Sequence, residues 1–210
     1  MPQPLSQHQP LTISTINCGS LCKTADLTVR NSFIRYLRSH SFDLIALQKT
    51  HASTLDIQDI FHSQFQASSS LWSVHCGLVC FSPDYVLSNS FISTCGRIIT
   101  ATVSHITDCF LPITVTVLYA PAARQGRMAF LRDLADNPSP FFSLNPTNHV
   151  VLGDWNYSYG DLSRSAPSSW LQFISQHLSI ASRLLVVLTN TPFTVVLVAL
   201  ASTISLHPLI

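Results

Sequence analysis

The stretch FDLIALQKTHAS, residues 42–53, joins a hydrophobic run to a polar end. Its first half, DLIALQ, is short, apolar and bounded by polar residues, a pattern that predicts a buried β-strand. The strand is followed by Lys49, Thr50 and His51. Because ligand sites in α/β proteins favour the ends of strands, this corner is a candidate functional site.

Two further predicted strands also run into polar side chains. Residues 11–17, LTISTIN, end at Asn17, and residues 149–156, HVVLGDWN, lead to Asp154 and Asn156. If the strands belong to packed sheets, these side chains can share one polar cleft with the 42–53 corner.

A fourth predicted strand, residues 111–121, carries an aromatic side chain near its end. LPITVTVLYAP alternates with a period of two, which places Val115, Val117 and Tyr119 on one face. Pro121 ends the strand, since proline cannot donate to a ladder of hydrogen bonds.

The order of predicted elements is strand, helix, strand, several strands, helix, strand and helix. This order predicts β-sheets covered by helices. The predicted helices cover residues 28–40, 124–138 and 168–178, and the predicted strands in the middle cover residues 71–82 and 96–104.

Composition excludes some function classes. Hydrophobic residues make up 47% of the 210-residue chain, enough for a sizeable core, whereas the net charge is only +1. Such a charge produces no global field that would attract nucleic acid. The six cysteines contain no C-x-x-C pair, which argues against a structural zinc site. We interpret two arginine clusters as solvated helix faces: Arg30, Arg35 and Arg38, and Arg124, Arg127 and Arg132.

The N-terminus predicts an intracellular protein, in the nucleus or the cytoplasm, that is not secreted. Residues 1–10, MPQPLSQHQP, are polar and proline-rich and lack the apolar core of a signal peptide. We therefore interpret them as a disordered leader.

Several segments resemble, in order, the motifs of the endonuclease/exonuclease/phosphatase superfamily, whose fold is DNase I-like. They are ISTINCGSL, FDLIALQKTH (Gln-Glu-Thr-His in the family), HCGLVCFS with GRIITATV, VLYAPA (Tyr-x-Pro) and VVLGDWN (Gly-Asp-Trp/Phe-Asn). The chain is most similar to the apurinic-type endonuclease domain of non-LTR retrotransposons, over about residues 11–180. The resemblance implies an α/β four-layer sandwich of two packed, mostly antiparallel sheets flanked by helices, incomplete at its C-terminus.

The resemblance also implies a metal-dependent phosphodiester hydrolase that nicks DNA with Mg²⁺ or Mn²⁺. Asp154 would activate the attacking water, Asn156 would hold a phosphate oxygen, and Tyr119 would lie near the scissile phosphate. Asn17 would help to bind the metal. His51 is a candidate for a residue that contacts these side chains without touching the metal or the substrate.

Each of these residues also has a structural interpretation. Asn17 can cap a turn, and Asp154 and Asn156 can stabilise the tight loop after a strand. Tyr119 can be a core residue, and His51 can lie on the surface.

Two departures from the family predict low or absent activity. Lys49 occupies the position of the metal-binding Glu, so a charge is reversed where a dication would bind. The Ser-Asp-His triplet that ends the family domain is absent from the sequence. The alternatives to an impaired nuclease are a non-catalytic nucleic-acid- or protein-binding remnant and a membrane-attached phosphoesterase relative.

The last segment, residues 181–210, contains one charged residue, Arg183, and is otherwise apolar or polar and uncharged. Three interpretations remain open: a frameshifted or truncated end, a native pair of strands, and a membrane anchor, of which the first is favoured. The expected organisation is a leader over residues 1–10, a phosphodiesterase-like domain over 11–180 and this aberrant tail over 181–210.

Overall fold

The computed structural model describes residues 11–19, 21, 27–142, 148–157, 166–177, 179–181 and 196–199. The first sheet consists of β1 (Ile13–Asn17), β2 (Leu44–Gln48), β3 (Ser69–Trp72) and β4 (Cys76–Cys80). The second consists of β5 (Tyr85–Ile92), β6 (Ile98–His105), β7 (Ile113–Tyr119), β8 (His149–Asp154), β9 (Ser179–Ala181) and β10 (Val196–Ala199). The helices are α1 (Leu27–Arg38), α2 (Leu55–Phe65), α3 (Arg124–Asp136) and α4 (Ser168–His177). The leader predicted for residues 1–10 lies outside the described residues.

Both sheets mix parallel and antiparallel neighbours. The order of strands is β1-β2-β4-β3 in the first sheet and β5-β6-β7-β8-β10-β9 in the second. The pairs β1–β2 and β7–β8 are parallel, whereas β2–β4 and β6–β7 are antiparallel. The parallel pairs bring the carboxyl ends of β1 and β2 together in one sheet, and those of β7 and β8 together in the other.

The two sheets pack face to face around a shared apolar core. Along β2, Leu44 and Ala46 face this core, while Ile45 and Leu47 face the helices on the other side. Side chains on a strand alternate between the two faces, so a strand buried on both sides must be apolar at successive positions. This explains why DLIALQ is a continuous hydrophobic run.

Helices cover the outer face of each sheet and complete four layers. On the first sheet, α1 buries Phe33, Ile34 and Leu37, and α2 buries Phe61 and Phe65. On the second sheet, residues of α3 and α4 pack together against β6, β7 and β8; these are Leu131, Leu134, Trp170, Phe173 and Ile174. The predicted sandwich of two sheets flanked by helices is therefore confirmed.

The middle of the chain differs from the sequence-based expectation. Residues 71–82 were expected to form one strand, but they contain the end of β3, a turn and β4. The Ser73 hydroxyl accepts from the Cys76 backbone amide at 3.0 Å, which closes the turn. Gly77 lies opposite Trp72, whose ring occupies the space that a Cβ on Gly77 would need. Helix α2 and strand β5 had not been predicted.

One of the arginine clusters is not a fully solvated face. Arg127 is buried, and its guanidinium donates to the carbonyl of Ala122 at 2.7 Å. The interpretation of Arg127 as a solvated residue is therefore wrong, because its charge stabilises the loop that follows β7. Arg124 and Arg132 are exposed on the same helix.

Part of the predicted tail forms a strand. Residues 196–199 form β10, which pairs in parallel with β8. Residues 182–195 and 200–210 lie outside the described residues, so the frameshift, strand-pair and anchor interpretations stay predictions. In the described part of the chain, none of the helices combines the length and the apolar character needed to cross a membrane.

Candidate functional site

A hydrogen bond between the two sheets forms the centre of the candidate site. Asn17 ends β1 in the first sheet, and Asp154 ends β8 in the second. The Asn17 side-chain amide donates to Asp154 Oδ2 at 2.5 Å, and both side chains are more than 90% buried. The sequence-based expectation that these strand ends lie together agrees with this geometry.

The Asp154 carboxylate has a second donor in the loop that follows it. The backbone amide of Asn156 donates to Asp154 Oδ1 at 2.9 Å, so each carboxylate oxygen accepts one hydrogen bond. Asn156 has a φ of 52°, in the left-handed region, and its side-chain amide donates to the carbonyl of Ala120 at 2.6 Å. Asn156 therefore fixes the loop after β7, and this contact uses one of its two side-chain N–H donors.

Gly153 sets how closely β8 approaches β7. It lies opposite Leu118, and a Cβ at Gly153 would come within 2.0 Å of the Leu118 carbonyl oxygen. Only glycine fits at this distance, because real Cβ atoms do not approach a carbonyl so closely. The residue before Asp154 is therefore fixed against the neighbouring strand, and this fixes the position of the carboxylate.

Tyr119 lies beside Asp154 at the adjacent strand end. The two residues are paired in the register of β7 and β8. The Tyr119 side chain is largely buried in the core between the sheets, and its ring lies within contact range of three other polar side chains. These are Lys49, His75 and Arg97.

Lys49 lies in the same corner with a constrained backbone. It follows the last residue of β2 and has a φ of 57°, an uncommon conformation for a residue with a side chain. Its carbonyl accepts from the Leu21 backbone amide at 3.2 Å, and its ammonium lies 5.8 Å from the centroid of the Tyr119 ring. Lys49 therefore lies beside Tyr119 at the end of the first sheet's strand β2.

The loop that carries Lys49 is anchored on both sides. The buried Thr50 hydroxyl donates to the carbonyl of Ser73 at 3.0 Å. His51 also has a positive φ, 55°, and its ring makes an edge contact with His75, with centroids 6.5 Å apart. Two left-handed residues in three positions mark a backbone whose conformation is fixed by its surroundings.

Sequence reasoning missed Arg97 and His75. The Arg97 guanidinium donates to the Tyr119 carbonyl at 3.2 Å, and its central carbon lies 5.2 Å from the centroid of the Tyr119 ring. The His75 ring centroid lies 5.8 Å from that of Tyr119. Burial, then the charges of Arg97 and His51, lower the pKa of His75 to about 4. His75 is therefore a neutral imidazole at pH 7.

The buried cysteines near this corner cannot act as thiolate nucleophiles. Burial raises the pKa of the Cys18 thiol to about 12 and also raises that of Cys76. The Cys76 thiol contacts the carbonyl of Arg97 at 3.3 Å. Since the thiolate is the reactive form of cysteine, both side chains are structural.

The side chains of the site do not fit the Mg²⁺ or Mn²⁺ that the resemblance implies. A hard dication needs several oxygen ligands, preferably carboxylates. The site offers the Asp154 carboxylate and the Asn17 oxygen, which already accepts from the Gly19 amide at 3.1 Å. The Lys49 ammonium lies in the same corner and would repel a metal ion. The described residues contain no group of three acidic, His or Cys side chains that could hold a metal.

Comparison with known proteins identifies the fold. No protein-family model matches the sequence, and no curated protein matches it. A structure of TDP2 from D. rerio with a single-strand DNA product aligns with a TM-score of 0.54 and 16% identity, covering 74% of this chain and 64% of that chain. A truncated TDP2 from Caenorhabditis elegans gives a TM-score of 0.53 and 17% identity, covering 75% and 66%.

The aligned part of this chain spans less than two thirds of the length of either TDP2 chain. At this identity the likeness concerns the fold. The architecture of the two sheets and their helices and the likeness to these structures confirm the predicted DNase I-like fold.

Proposed function

We propose that this chain derives from a metal-dependent phosphodiester hydrolase, the DNA endonuclease of a non-LTR retroelement, and that its hydrolytic activity is impaired. One observation carries the proposal: Lys49 lies over Tyr119 in the corner where Asn17 and Asp154 meet. The polar side chains expected of such a hydrolase converge there. At the position where the family has a metal-binding glutamate, this chain has the positively charged Lys49.

The roles proposed for the remaining side chains follow the resemblance. Asp154 is the base that would accept a proton from the attacking water, since an ionised carboxylate only accepts hydrogen bonds. Asn156 is assigned to a phosphate oxygen, and Tyr119 to the neighbourhood of the leaving group. His51 supports the site through His75. The contact with Ala120 uses one of the two N–H donors of the Asn156 amide, so the second can contact a phosphate.

A DNA-nicking assay tests the proposal. Supercoiled plasmid and a duplex with one abasic site are incubated with Mg²⁺ or Mn²⁺ and with the wild-type chain, Lys49→Glu or Lys49→Gln. We expect weak nicking by the wild type and an increase of at least about tenfold for Lys49→Glu, the size expected from one regained charged contact. Lys49→Gln is the matched control, because it removes the positive charge without adding a carboxylate.

The outcome that contradicts the proposal is equally specific. If the wild-type chain nicks DNA and Lys49→Glu nicks no faster, impairment by Lys49 is wrong. A second variant tests the assigned base: Asp154→Asn in the Lys49→Glu background should abolish the gained activity. If that double variant nicks as fast as Lys49→Glu, Asp154 is not the base.

The retroelement origin has its own test in the surrounding nucleotide sequence. A reverse transcriptase reading frame downstream of this one would support the origin, because such elements carry both enzymes. An unrelated neighbourhood without any trace of that frame would contradict it.

The second candidate is a non-catalytic protein that binds nucleic acid. It is favoured by two cationic side chains, Lys49 and Arg97, that flank one aromatic ring. Paired cationic side chains suit single-stranded nucleic acid, whose phosphates are negative. Binding of DNA in EDTA without nicking in Mg²⁺ would favour this candidate over the hydrolase.

A further inference from the structure

We infer that the corner formed by Lys49, Arg97 and Tyr119 binds a phosphate group without a metal ion, with the Lys49 ammonium supplying the charge that a dication would otherwise supply. The ligand class is a phosphate monoester or diester. The inference rests on the nucleic-acid-binding candidate and names the group that this corner recognises; it holds whether or not the chain cleaves what it binds.

The balance of charge in this corner favours an anion. Lys49 and Arg97 both lie within 6 Å of the Tyr119 ring centroid. The carboxylate of the site, Asp154, accepts hydrogen bonds at both of its oxygens, from the Asn17 side chain and from the Asn156 backbone. These donors hold the carboxylate in place, and the two cations outnumber it in this corner.

Arg97 retains donors for a ligand. A guanidinium carries five N–H groups in a planar fork that matches the oxygens of a phosphate. The contact with the Tyr119 carbonyl uses one terminal nitrogen and anchors the group beside the ring. The anchored fork is therefore pre-oriented, which lowers the entropy lost when a phosphate binds.

Lys49 is pre-oriented by its backbone. Its φ of 57° and the hydrogen bond from Leu21 to its carbonyl fix the start of the side chain at the end of β2. Thr50, fully buried and bonded to Ser73, fixes the next residue. The backbone that carries Lys49 is therefore fixed, and the ammonium at the end of its flexible stem offers three donors to an anion.

The same arrangement opposes a dication. A cation placed beside Asn17 and Asp154 would lie in the neighbourhood of the Lys49 ammonium, and like charges repel strongly where burial weakens solvent screening. A phosphate is attracted by Lys49 and Arg97 alike, and these two positive charges outweigh the single negative charge of Asp154. Metal-free binding of a phosphate is therefore the behaviour that the charges of this chain favour.

Binding in EDTA tests the inference on the full chain. The probes are inorganic phosphate, a fluorescent oligothymidine with a 5′-phosphate, and the same oligothymidine with a 5′-hydroxyl. Affinity is measured by anisotropy, with inorganic phosphate as a competitor. A monoester site is identified by competition from inorganic phosphate together with tighter binding of the 5′-phosphate oligomer. Equal binding of both oligomers identifies an internal diester as the ligand. Either result supports the inference.

The variants separate a local contact from a general charge effect. Lys49→Gln should weaken binding in EDTA by about tenfold, the loss expected for one hydrogen bond to a charged group, and Lys49→Arg should retain most of it. Arg35→Gln is the matched control, because it removes one positive charge from an exposed site on α1. Circular dichroism and thermal melting establish whether each variant is folded. If Lys49→Gln does not fold, Lys49→Arg still tests the inference.

Two results would overturn the inference. One is equal affinity of wild type, Lys49→Gln and Arg35→Gln in EDTA. The other is a rise in wild-type affinity when Mg²⁺ is added, which would show that a metal can occupy the corner. Both results are separate from the nicking assay. The hydrolase proposal fails if Lys49→Glu gains no nicking activity. This inference fails if metal-free binding does not depend on Lys49.

Discussion

The side chains of Asn17 and Asp154 join the two sheets of the sandwich by a hydrogen bond 2.5 Å long, although 137 positions separate them in the sequence. The contact fixes the end of β1 against the end of β8, in a corner that also contains Tyr119 and Lys49. It thereby stabilises the fold and positions the carboxylate of the candidate site.

Removing the Asn17 amide should lower stability. In Asn17→Ala a buried carboxylate oxygen loses its partner, which costs about 1–3 kcal/mol of the free energy of unfolding. Urea unfolding measures the change, and Asn31→Ala, the same substitution at an exposed position of α1, is the control. Equal midpoints for Asn17→Ala and the wild type would show that the bond to Asp154 contributes nothing to folding.

A methyl group at Gly153 should be poorly tolerated. The Cβ of Gly153→Ala would lie 2.0 Å from the Leu118 carbonyl oxygen, so β7 and β8 must separate. We expect a loss of about 1–3 kcal/mol or more in the free energy of unfolding, as for other overpacked sites. The matched control is Gly126→Ala on α3, where a Cβ meets ordinary contacts 3.5 Å or more away. There alanine should stabilise the helix by about 0.5–1 kcal/mol. If both substitutions have the same effect, the close approach at Gly153 is not real.

Much of this arrangement follows from the sequence alone. β1, β2, β7 and β8 each lead to a polar or aromatic residue at the carboxyl end, so the side chains at their ends could be predicted as one site. The order of strands and helices predicted sheets covered by helices, and the resemblance implied four layers; the continuous apolar run of β2 fits a strand buried on both faces.

Other features depend on three-dimensional pairing that the sequence does not encode locally. Arg97 contacts Tyr119 because β6 pairs antiparallel with β7, which places Ile98 opposite Leu118 and Arg97 beside the strand end. Strand β5 was missed because most of its side chains are partly or fully exposed, so it has no alternating apolar signal. Helix α2 had a local signal, the N-cap Thr54, whose hydroxyl accepts from Ile57.

Substitutions at Asn156 should separate its side-chain contact from its backbone conformation. Both Asn156→Ala and Asn156→Gly lose the hydrogen bond to the Ala120 carbonyl. Alanine must also adopt a φ near 52°, which costs about 1–2 kcal/mol more than glycine at such a position. We therefore expect thermal midpoints in the order wild type, Asn156→Gly, Asn156→Ala. An alanine variant at least as stable as the glycine variant would contradict the left-handed assignment.

The buried His149 should make the protein less stable in acid. Its imidazole is 2% exposed and lies 2.9 Å from the Thr116 hydroxyl, and burial lowers its pKa from 6.5 to about 4. Between these two values the unfolded chain binds more protons than the folded chain, so the free energy of unfolding rises with pH from about 4 to about 6.5. The stability due to neutral His149 is complete above this range and is lost below it, by up to about 3 kcal/mol.

Urea unfolding at a series of pH values measures this slope. His149→Gln should flatten it without abolishing it, because the pKa of His75 is lowered in the same direction. His40→Gln, at an exposed position after α1, is the control for the substitution itself. If His149→Gln and the wild type lose stability in parallel between pH 6.5 and 4, His149 is not the group whose protonation opposes folding.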